Sequence, residues 1–181
     1  MIQEFNKFAG NKILGWMLMN PDANIGINEL ARELAASPAT VMRYSNLFSD
    51  AGLVTIEKAG TAHLIRLNSG NPVVIELKKC AVILLLNDYG TCDIAGEAVS
   101  IALYGSAASG KFTGASDLDI LVVGEEEQVN RDKVLEIQEK IGREIQLTVI
   151  PWHKFERMKK ENDPFIRNVI DNHILLSGAE L

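Results

Sequence analysis

Two aspartates stand two positions apart in the second half of the chain, within the stretch "ALYGSAASGKFTGASDLDILVVG". Successive side chains of a β-strand point to opposite faces, so Asp117 and Asp119 would share one face. Leu118 and Ile120 would then point into a core. Carboxylates this close repel each other unless a cation lies between them, and oxygen ligands on a rigid strand suit Mg²⁺ or Mn²⁺. The spacing therefore predicts a divalent-metal site at Asp117 and Asp119.

A loop of small residues precedes this pair and offers groups for phosphate binding. Gly105 follows an apolar strand and would let the backbone approach a ligand closely. The amide and hydroxyl of Ser106, at the start of an expected helix, suit phosphate oxygens. We therefore expect the loop to hold a nucleoside triphosphate whose phosphates share the metal ion with Asp117 and Asp119.

Together these residues resemble the signature of the DNA polymerase β superfamily of nucleotidyltransferases, a Gly-Ser loop followed by an Asp-x-Asp strand. More narrowly, residues 99–178 resemble the minimal nucleotidyltransferase domains of archaea and bacteria. The resemblance implies that Asp117 and Asp119 are catalytic ligands of Mg²⁺ or Mn²⁺. It also implies that a nucleoside triphosphate such as ATP contacts the loop at Gly105, Ser106, Gly110 and Ser116.

Two positions depart from the pattern of this family. The family commonly has Arg before the second glycine of the loop, where this chain has Ser109. The family also supplies a third carboxylate from a later strand, and in "GREIQLTVI" that place holds Gln146. An amide is a poor substitute for a carboxylate that holds a second metal and helps to deprotonate the attacking hydroxyl. Glu144, on the same face of that strand, is the candidate catalytic replacement.

The resemblance implies transfer of a nucleotidyl group from a triphosphate to a hydroxyl on a protein, an RNA or a small molecule. Family members often act beside a small helical partner protein of the toxin type, so such a partner is expected. The alternative is a DNA-binding transcriptional regulator whose weakened nucleotidyltransferase fold serves as a nucleotide sensor or dimerisation domain. Gln146 favours the regulator and the intact aspartate pair favours the enzyme, so the sequence leaves both open.

The elements that would position these groups follow from the periodicity of the second half. Apolar alternation predicts strands at residues 99–104, 117–123 and 144–150, and helical spacing predicts helices at residues 130–142 and 164–173. A linker at residues 68–72 leads into an apolar helix at residues 73–86. The order indicates an α+β fold with a mixed sheet and flanking helices, and it divides the chain into domains at residues 1–70 and 71–181.

The first 70 residues have a different pattern. Helical spacing predicts a helix at residues 5–19, a short helix capped by Asn28, and a third helix at residues 39–51 that begins after Ser37-Pro38. A β-hairpin follows at residues 53–67. The core residues expected in the second and third helices are Leu30, Ala31, Leu34, Ala35, Val41, Met42, Leu47 and Phe48.

Three helices followed by a hairpin resemble the winged helix-turn-helix module of prokaryotic regulators, over residues 5–67. The resemblance implies a homodimer that binds duplex DNA through residues 39–49. The DNA-binding candidates are Thr40, Arg43, Tyr44 and Asn46 in the third helix and Lys58, His63 and Arg66 in the hairpin. Bases and acids balance in this region, and DNA affinity normally comes from excess positive charge, so a protein-interaction or dimerisation module is the alternative.

The net charge of −6 over 181 residues arises wholly beyond Gly70. An acidic half would repel phosphates unless bound cations intervene, which again favours a metal site. A basic run within this half has acids among it and is interpreted as a solvated helix face rather than a nucleic-acid contact. The run consists of Lys154, Arg157, Lys159 and Lys160.

The longest apolar run, at residues 80–86, is far shorter than the roughly 20 residues that a membrane span needs. The N-terminus has charged residues where a signal peptide would be apolar, so we expect a cytoplasmic protein with no membrane segment. Cys80 and Cys92 have no metal-ligand spacing and are expected to be free thiols.

Overall fold

The computed structural model describes residues 7–181, which form two compact units, one ending at Val82 and the other spanning Ile83–Leu181. The division falls inside the long helix Pro72–Asp88, whereas the predicted boundary lies before that helix, after residue 70. Phe5, in the predicted first helix, lies outside the described residues. Among the residues described, no helix combines the length and apolarity that crossing a bilayer requires.

The first unit consists of helices and a three-stranded antiparallel sheet. Its elements are α1 (Ala9–Met19), β1 (Asn24–Gly26), α2 (Ile27–Glu33), α3 (Pro38–Asp50), β2 (Val54–Ala59) and β3 (Ala62–Leu67), followed by the first part of α4 (Pro72–Asp88). The sheet order is β1-β3-β2, so a short strand that periodicity did not predict joins the predicted hairpin. Helices and strands share one apolar core, which includes Ile13, Met17, Ile25, Leu30, Val41, Val54 and Ile65.

Two details of α2 differ from the prediction. The helix begins at Ile27 with Gly26 as its N-cap, so Asn28 lies in the first turn and does not cap it. Ala35 is exposed and has a φ of +47°, because the chain leaves the helix there in a left-handed turn. Leu30, Ala31 and Leu34 are buried as expected.

The third helix has the predicted start but a narrower buried face. The Ser37 hydroxyl accepts a hydrogen bond from the Thr40 amide at 3.1 Å, which caps α3 as its sequence indicates. Val41 and Ser45 are buried, whereas Leu47 is 55% exposed. Leu47 is two residues beyond Ser45 and therefore points to nearly the opposite side of the helix, so its assignment to the core is wrong.

The second unit is built on a four-stranded mixed sheet with helices, which confirms the α+β prediction for this half. After α4, its elements are β4 (Ser100–Tyr104), α5 (Gly105–Ala108), β5 (Leu118–Val123), α6 (Arg131–Ile141), β6 (Ile145–Ile150), α7 (Trp152–Lys160), α8 (Pro164–Asp171) and β7 (Ile174–Gly178). The strand order is β6-β5-β4-β7. β5 and β6 are parallel, and the other two pairs are antiparallel.

Helices α7 and α8 cover one face of this sheet. Phe155 and Ile166 pack there against Leu121 and Val123 of β5 in one buried cluster. Because side chains alternate along a strand, Asp119 lies on the same face as Leu121, at the end of β5 where that strand begins. The packed cluster therefore ends where the predicted site begins.

Both cysteines are free thiols, as expected. Cys80 is exposed on α4. The Cys92 thiol donates a hydrogen bond to the carbonyl of Leu176, at a sulfur–oxygen distance of 3.3 Å.

Candidate functional site

The aspartate pair lies at the start of β5, in the middle of the sheet. Asp119 is half-buried, and Asp117, exposed, stands one residue before the strand begins and not inside it as predicted. Across the sheet, Asp119 pairs with Tyr104 of β4 on one side and with Gln146 of β6 on the other. Residues from three separate parts of the sequence therefore form one row.

The environment of Asp119 disfavours its charged form. Burial, and secondly the negative charge of Asp117, raise the pKa of the Asp119 carboxyl above its ordinary value. A divalent cation between the carboxylates would remove this repulsion, and two carboxylates suit the oxygen preference of Mg²⁺ or Mn²⁺. The donor set therefore fits such an ion.

Gly105 packs closely against the carboxylate of Asp119. Its φ is +72°, and a Cβ on it would lie 2.2 Å from Oδ2 of Asp119. The turn after β4 therefore passes directly against the carboxylate, which is possible only without a side chain. The structure shows the backbone of Gly105 approaching Asp119. The close approach of Gly105 to a ligand, expected from the sequence, stays a prediction.

The small-residue loop is closed by its own hydrogen bonds. The carbonyl of Ser106 accepts bonds from the Lys111 amide at 2.9 Å and from the Ser109 hydroxyl at 3.1 Å. Gly110 is buried with a φ of +69°. Ser109, where the resembled family commonly has Arg, thus stabilises the turn through its hydroxyl.

Ser116 stabilises the loop that leads into Asp117. Its hydroxyl oxygen accepts a hydrogen bond from the Thr113 amide at 2.9 Å and lies 3.1 Å from the Thr113 hydroxyl. This bond holds a turn one residue before the exposed carboxylate. Phosphate contact by Ser116 stays a prediction.

Arg143 is a site residue that the sequence analysis missed. One guanidinium nitrogen donates to the carbonyl of Thr113 at 2.9 Å and to that of Ser116 at 3.0 Å, and the guanidinium carbon lies 5.3 Å from the centre of the Phe112 ring. The next residue, Glu144, accepts the Leu118 amide at its carbonyl, at 2.9 Å. The backbone is therefore held on both sides of Asp117.

The third carboxylate of the resembled family has no equivalent in the assembled site. Gln146 is the residue of β6 paired with Asp119, which agrees with the position assigned to it from sequence. The side chain of Glu144 is exposed. Within residues 7–181, no three His, Cys, Asp or Glu side chains gather closely enough to hold a metal ion, so Glu144 does not join the aspartates in this arrangement.

Tyr104 separates the carboxylates from the apolar cluster. Its hydroxyl lies 3.0 Å from the hydroxyl of Thr148 on β6, so the ring must cross β5, which lies between the two strands. Phe165 of α8 packs edge-on against the Tyr104 ring, with 5.6 Å between the ring centres. The Tyr104 ring therefore lies next to the carboxylates, and the contact of its hydroxyl with Thr148 fixes its position.

The DNA-binding candidates in the third helix of the first unit are partly engaged in packing. The Thr40 hydroxyl lies 2.8 Å from that of Ser37, at the helix cap. Tyr44 is half-buried and packs so closely on α1 that a Cβ on Gly10 would lie 2.7 Å from its ring. The Arg43 guanidinium carbon lies 4.8 Å from the centre of the Tyr44 ring.

The remaining DNA-binding candidates do not form one patch with each other. Asn46 is exposed on α3. Arg66 pairs with Thr55, and Lys58 pairs with His63. Because Thr55 and Lys58 are three residues apart on one strand, the hairpin cations Lys58 and Arg66 lie on opposite faces.

A family model described as "Nucleotidyltransferase domain" matches residues 91–176, a stretch that contains both aspartates and the loop. Among solved structures, the chain is similar to one titled "Crystal structure of the toxin-antitoxin with AMP-PNP", with 18% identity, a TM-score of 0.36, and coverage of 56% of this chain and 74% of that chain. No curated protein matches the chain. The resemblance to nucleotidyltransferases is confirmed at the level of this domain.

Proposed function

We propose that the second unit binds a nucleoside triphosphate together with Mg²⁺ or Mn²⁺ and transfers its nucleotidyl group to a hydroxyl. The observation that carries the proposal is the packing of Gly105 against Asp119, with Asp117 beside it, inside the stretch that matches the nucleotidyltransferase domain. A backbone shaped around a mutually repelling carboxylate pair is stabilised when a cation is bound.

Each part of the site has a separate role in this proposal. Asp117 and Asp119 hold the cation, which supplies positive charge to the phosphates of the bound nucleotide. The amides and the Ser106 hydroxyl of the loop orient the phosphates, with Gly110 allowing the tight turn and Ser116 supporting the approach to Asp117. ATP is the first nucleotide to test.

Gln146, in place of a carboxylate, leads us to expect a low rate of transfer. An amide accepts no proton at neutral pH, so the attacking hydroxyl lacks the base that the resembled family provides. Glu144, which the structure places one residue before β6 and not within it as predicted, is the proposed source of residual base catalysis once its exposed side chain turns toward the aspartates. We expect slow transfer that depends on a partner, and a small helical protein of the toxin type is the proposed partner.

A regulator that senses nucleotide is the second candidate function. Gln146 beside Asp119 is the observation that favours it, because nucleotide binding needs the first two carboxylates and transfer needs the third. For this candidate function, the first unit is a winged helix that binds DNA as a homodimer. The second unit is the sensor, and its binding of metal-nucleotide changes the DNA binding of the first unit.

Metal-nucleotide binding is tested by thermal unfolding with each nucleoside triphosphate, in the presence and absence of Mg²⁺ or Mn²⁺. We expect the melting temperature to rise with metal-nucleotide and not with nucleotide alone. Asp117→Asn with Asp119→Asn should abolish the rise. Asp132→Asn with Asp171→Asn, which removes the same charge at exposed positions, should retain it. An undiminished rise in the first double variant would overturn the assignment.

Transfer is tested by incubating the chain with each labelled triphosphate, alone and with the product of the adjacent gene. Gln146→Asp should raise the rate by about 100-fold, because a positioned base typically contributes 10²–10⁴. Glu144→Gln should remove the residual transfer of the natural chain. A Gln146→Asp variant that binds metal-nucleotide but labels no acceptor would favour the sensor.

A further inference from the structure

Phe165 is an aromatic residue whose side chain is only partly buried in the second unit. Of the three phenylalanines between Ile83 and Leu181, Phe112 and Phe155 are almost completely buried, whereas Phe165 is 37% exposed. It lies in the first turn of α8, next to Ile166, which is buried in the apolar cluster. Phe165 therefore lies at the rim of that cluster and presents part of its ring to solvent.

The backbone of Phe165 is fixed by its neighbours along the chain. Asp163 caps α8, and its carboxylate accepts hydrogen bonds from the Phe165 amide at 2.9 Å and from the Ile166 amide at 3.2 Å. Pro164, at the first position of the helix, restricts the backbone further. The ring is thus attached to a backbone that is ordered before any ligand binds, and an aromatic side chain with two torsions loses little conformational entropy on binding.

Phe165 lies close to the aspartate pair. Its ring centre is 5.6 Å from that of Tyr104, and the two rings are nearly perpendicular, at 86°. Tyr104 is the cross-strand partner of Asp119. A perpendicular contact covers at most one face of the Phe165 ring, so the contact with Tyr104 leaves another face uncovered. A single side chain therefore separates this aromatic ring from Asp119.

The phosphate loop begins at the residue after Tyr104. Gly105 packs against Asp119, and Ser106 follows it. In a nucleoside triphosphate, one ribose separates the α-phosphate from the base. A nucleotide whose phosphates lie at this loop therefore carries its base one sugar ring away from the loop. Phe165 contacts the residue that precedes the loop, so it lies within reach of such a base.

We propose that the base of the bound nucleoside triphosphate stacks on Phe165, and that this contact makes the site prefer purine to pyrimidine nucleotides. This inference rests on the proposed function. The base is uncharged, so the acidic character of the unit does not oppose this contact as it opposes the binding of phosphates. A purine presents a larger aromatic surface than a pyrimidine, and stacking becomes stronger as the contact surface grows.

Trp152 is the matched comparison, because it is an exposed aromatic residue of the same unit that lies away from the aspartates. It is 45% exposed and stacks on Phe155. It comes two residues after Ile150, which pairs with Val123 at the end of β5 opposite to Asp119. Removal of the Trp152 ring therefore changes the exposed aromatic surface of the unit without changing the proposed base contact.

Stacking is tested on the full chain by calorimetric titration with ATP, CTP and inorganic triphosphate, each with Mg²⁺. The natural chain should bind ATP more tightly than CTP. Phe165→Leu should weaken ATP binding about 10-fold and CTP binding less, which is the size of effect that base stacking on an aromatic ring has. Inorganic triphosphate has no base to stack, so its affinity should stay within about 2-fold. Phe165→Tyr keeps the ring and should retain the affinity for ATP, and Trp152→Leu should change none of the three affinities.

A fluorescent probe at the same position tests the contact without removing an aromatic ring. In a chain with Trp152→Phe and Phe165→Trp, ATP with Mg²⁺ should quench the tryptophan fluorescence, and inorganic triphosphate with Mg²⁺ should not. The control chain with Trp152→Phe alone should respond to neither ligand. If Phe165→Leu does not fold, this probe decides the question, because absence of quenching by bound ATP would show that the base lies elsewhere.

The stacking contact and the proposed function fail in different ways. Equal losses of ATP and inorganic triphosphate in Phe165→Leu would show that the residue only supports the fold of the site. An unchanged ATP affinity in that variant, or an equal loss in Trp152→Leu, would also overturn the contact while leaving metal-nucleotide binding intact. Failure of the natural chain to bind any of the three ligands would overturn the proposed function and the stacking contact with it.

Discussion

The candidate site of the second unit and the candidate DNA surface of the first unit were both inferred from residue types and spacing. In the structure, residues of the first come together, whereas those of the second do not form one patch. Gly105, Asp119 and Gln146 come from three distant segments and meet in one place. In the first unit, Tyr44 packs on Gly10, and Lys58 and Arg66 lie on opposite faces of the hairpin. A motif that constrains the backbone therefore predicts which residues come together better than a regular spacing of polar residues does.

The largest expected effect is that of Gly105→Ala. The new Cβ would lie 2.2 Å from Asp119 Oδ2, and a φ of +72° strains a residue with a side chain by about 1–3 kcal/mol. We expect the free energy of unfolding to fall by about 2–4 kcal/mol and metal-nucleotide binding to be lost. Chemical denaturation and the thermal shift with metal-nucleotide measure both.

Gly10→Ala is the matched change in the first unit. Its Cβ would meet the edge of the Tyr44 ring at 2.7 Å, but a ring on a side chain can move, and alanine favours a helix over glycine by about 1 kcal/mol. We expect a net change within about 1 kcal/mol. Equal destabilisation by the two substitutions would remove the contrast between the units.

Arg143→Met tests the site of the second unit at a residue whose only proposed role is to position Asp117. The variant loses both bonds to the loop carbonyls while keeping an apolar contact with Phe112. We expect metal-nucleotide affinity to fall about 10-fold, equivalent to about 1.4 kcal/mol, with the metal concentration for half-saturation rising. Titration of Mg²⁺ at fixed nucleotide measures this change.

The control for that variant is Arg131→Met, which removes an exposed arginine paired with Glu126. It should leave the metal titration unchanged. Arg143→Lys retains the charge but not the fork of the guanidinium, so it should resemble Arg143→Met. Full affinity in Arg143→Lys would show that charge, and not the positioning of the loop, is what Arg143 contributes.

A smaller effect is expected for Arg43→Ala on binding of duplex DNA from the upstream region of the protein's own gene. Removal of one phosphate-contacting cation lowers the salt slope by about 1 and weakens binding roughly evenly across sequences. We expect a loss of less than about 10-fold, measured by anisotropy at several salt concentrations. Failure to retain any duplex at low salt would favour the interaction-module alternative for the first unit.

The smallest expected effect is that of Asp119→Asn on stability without metal. The raised pKa of Asp119 means that its charged form destabilises the folded state above that pKa, and the penalty disappears as the pH falls through it. The variant should therefore melt slightly higher than the natural chain at pH 7–8, and the two should converge in acid. Solvent screening keeps the difference small, on the order of 1–2 °C.

Addition of Mg²⁺ with nucleotide should reverse that order, because only the natural chain gains stability from binding. Thermal unfolding between pH 4 and 8, with and without the ligand, gives the comparison. A variant that is less stable than the natural chain at pH 8 without metal would contradict the repulsion between the two aspartates.

Much of the second unit could be predicted because its signals are local. The strand predicted at residues 99–104 is observed at Ser100–Tyr104, and that predicted at residues 144–150 is observed at Ile145–Ile150. Alternation of apolar side chains depends only on neighbours along the chain, and so does the need for glycine at a sharp turn. These signals were sufficient to locate the aspartates and the loop.

The contributions of Arg143 and of the contact between the hydroxyls of Tyr104 and Thr148 could not be read from the sequence. Each depends on strand register or on the packing of elements distant along the chain, and a shift of one residue in β6 would turn Gln146 away from Asp119. The sequence by itself determined which residues carry oxygen atoms of the kind that Mg²⁺ or Mn²⁺ prefers and where the chain must turn, because side-chain chemistry and backbone freedom are properties of single residues. Only the tertiary structure decided which of the remaining polar groups support that site, because register and packing result from the burial of the whole core at once.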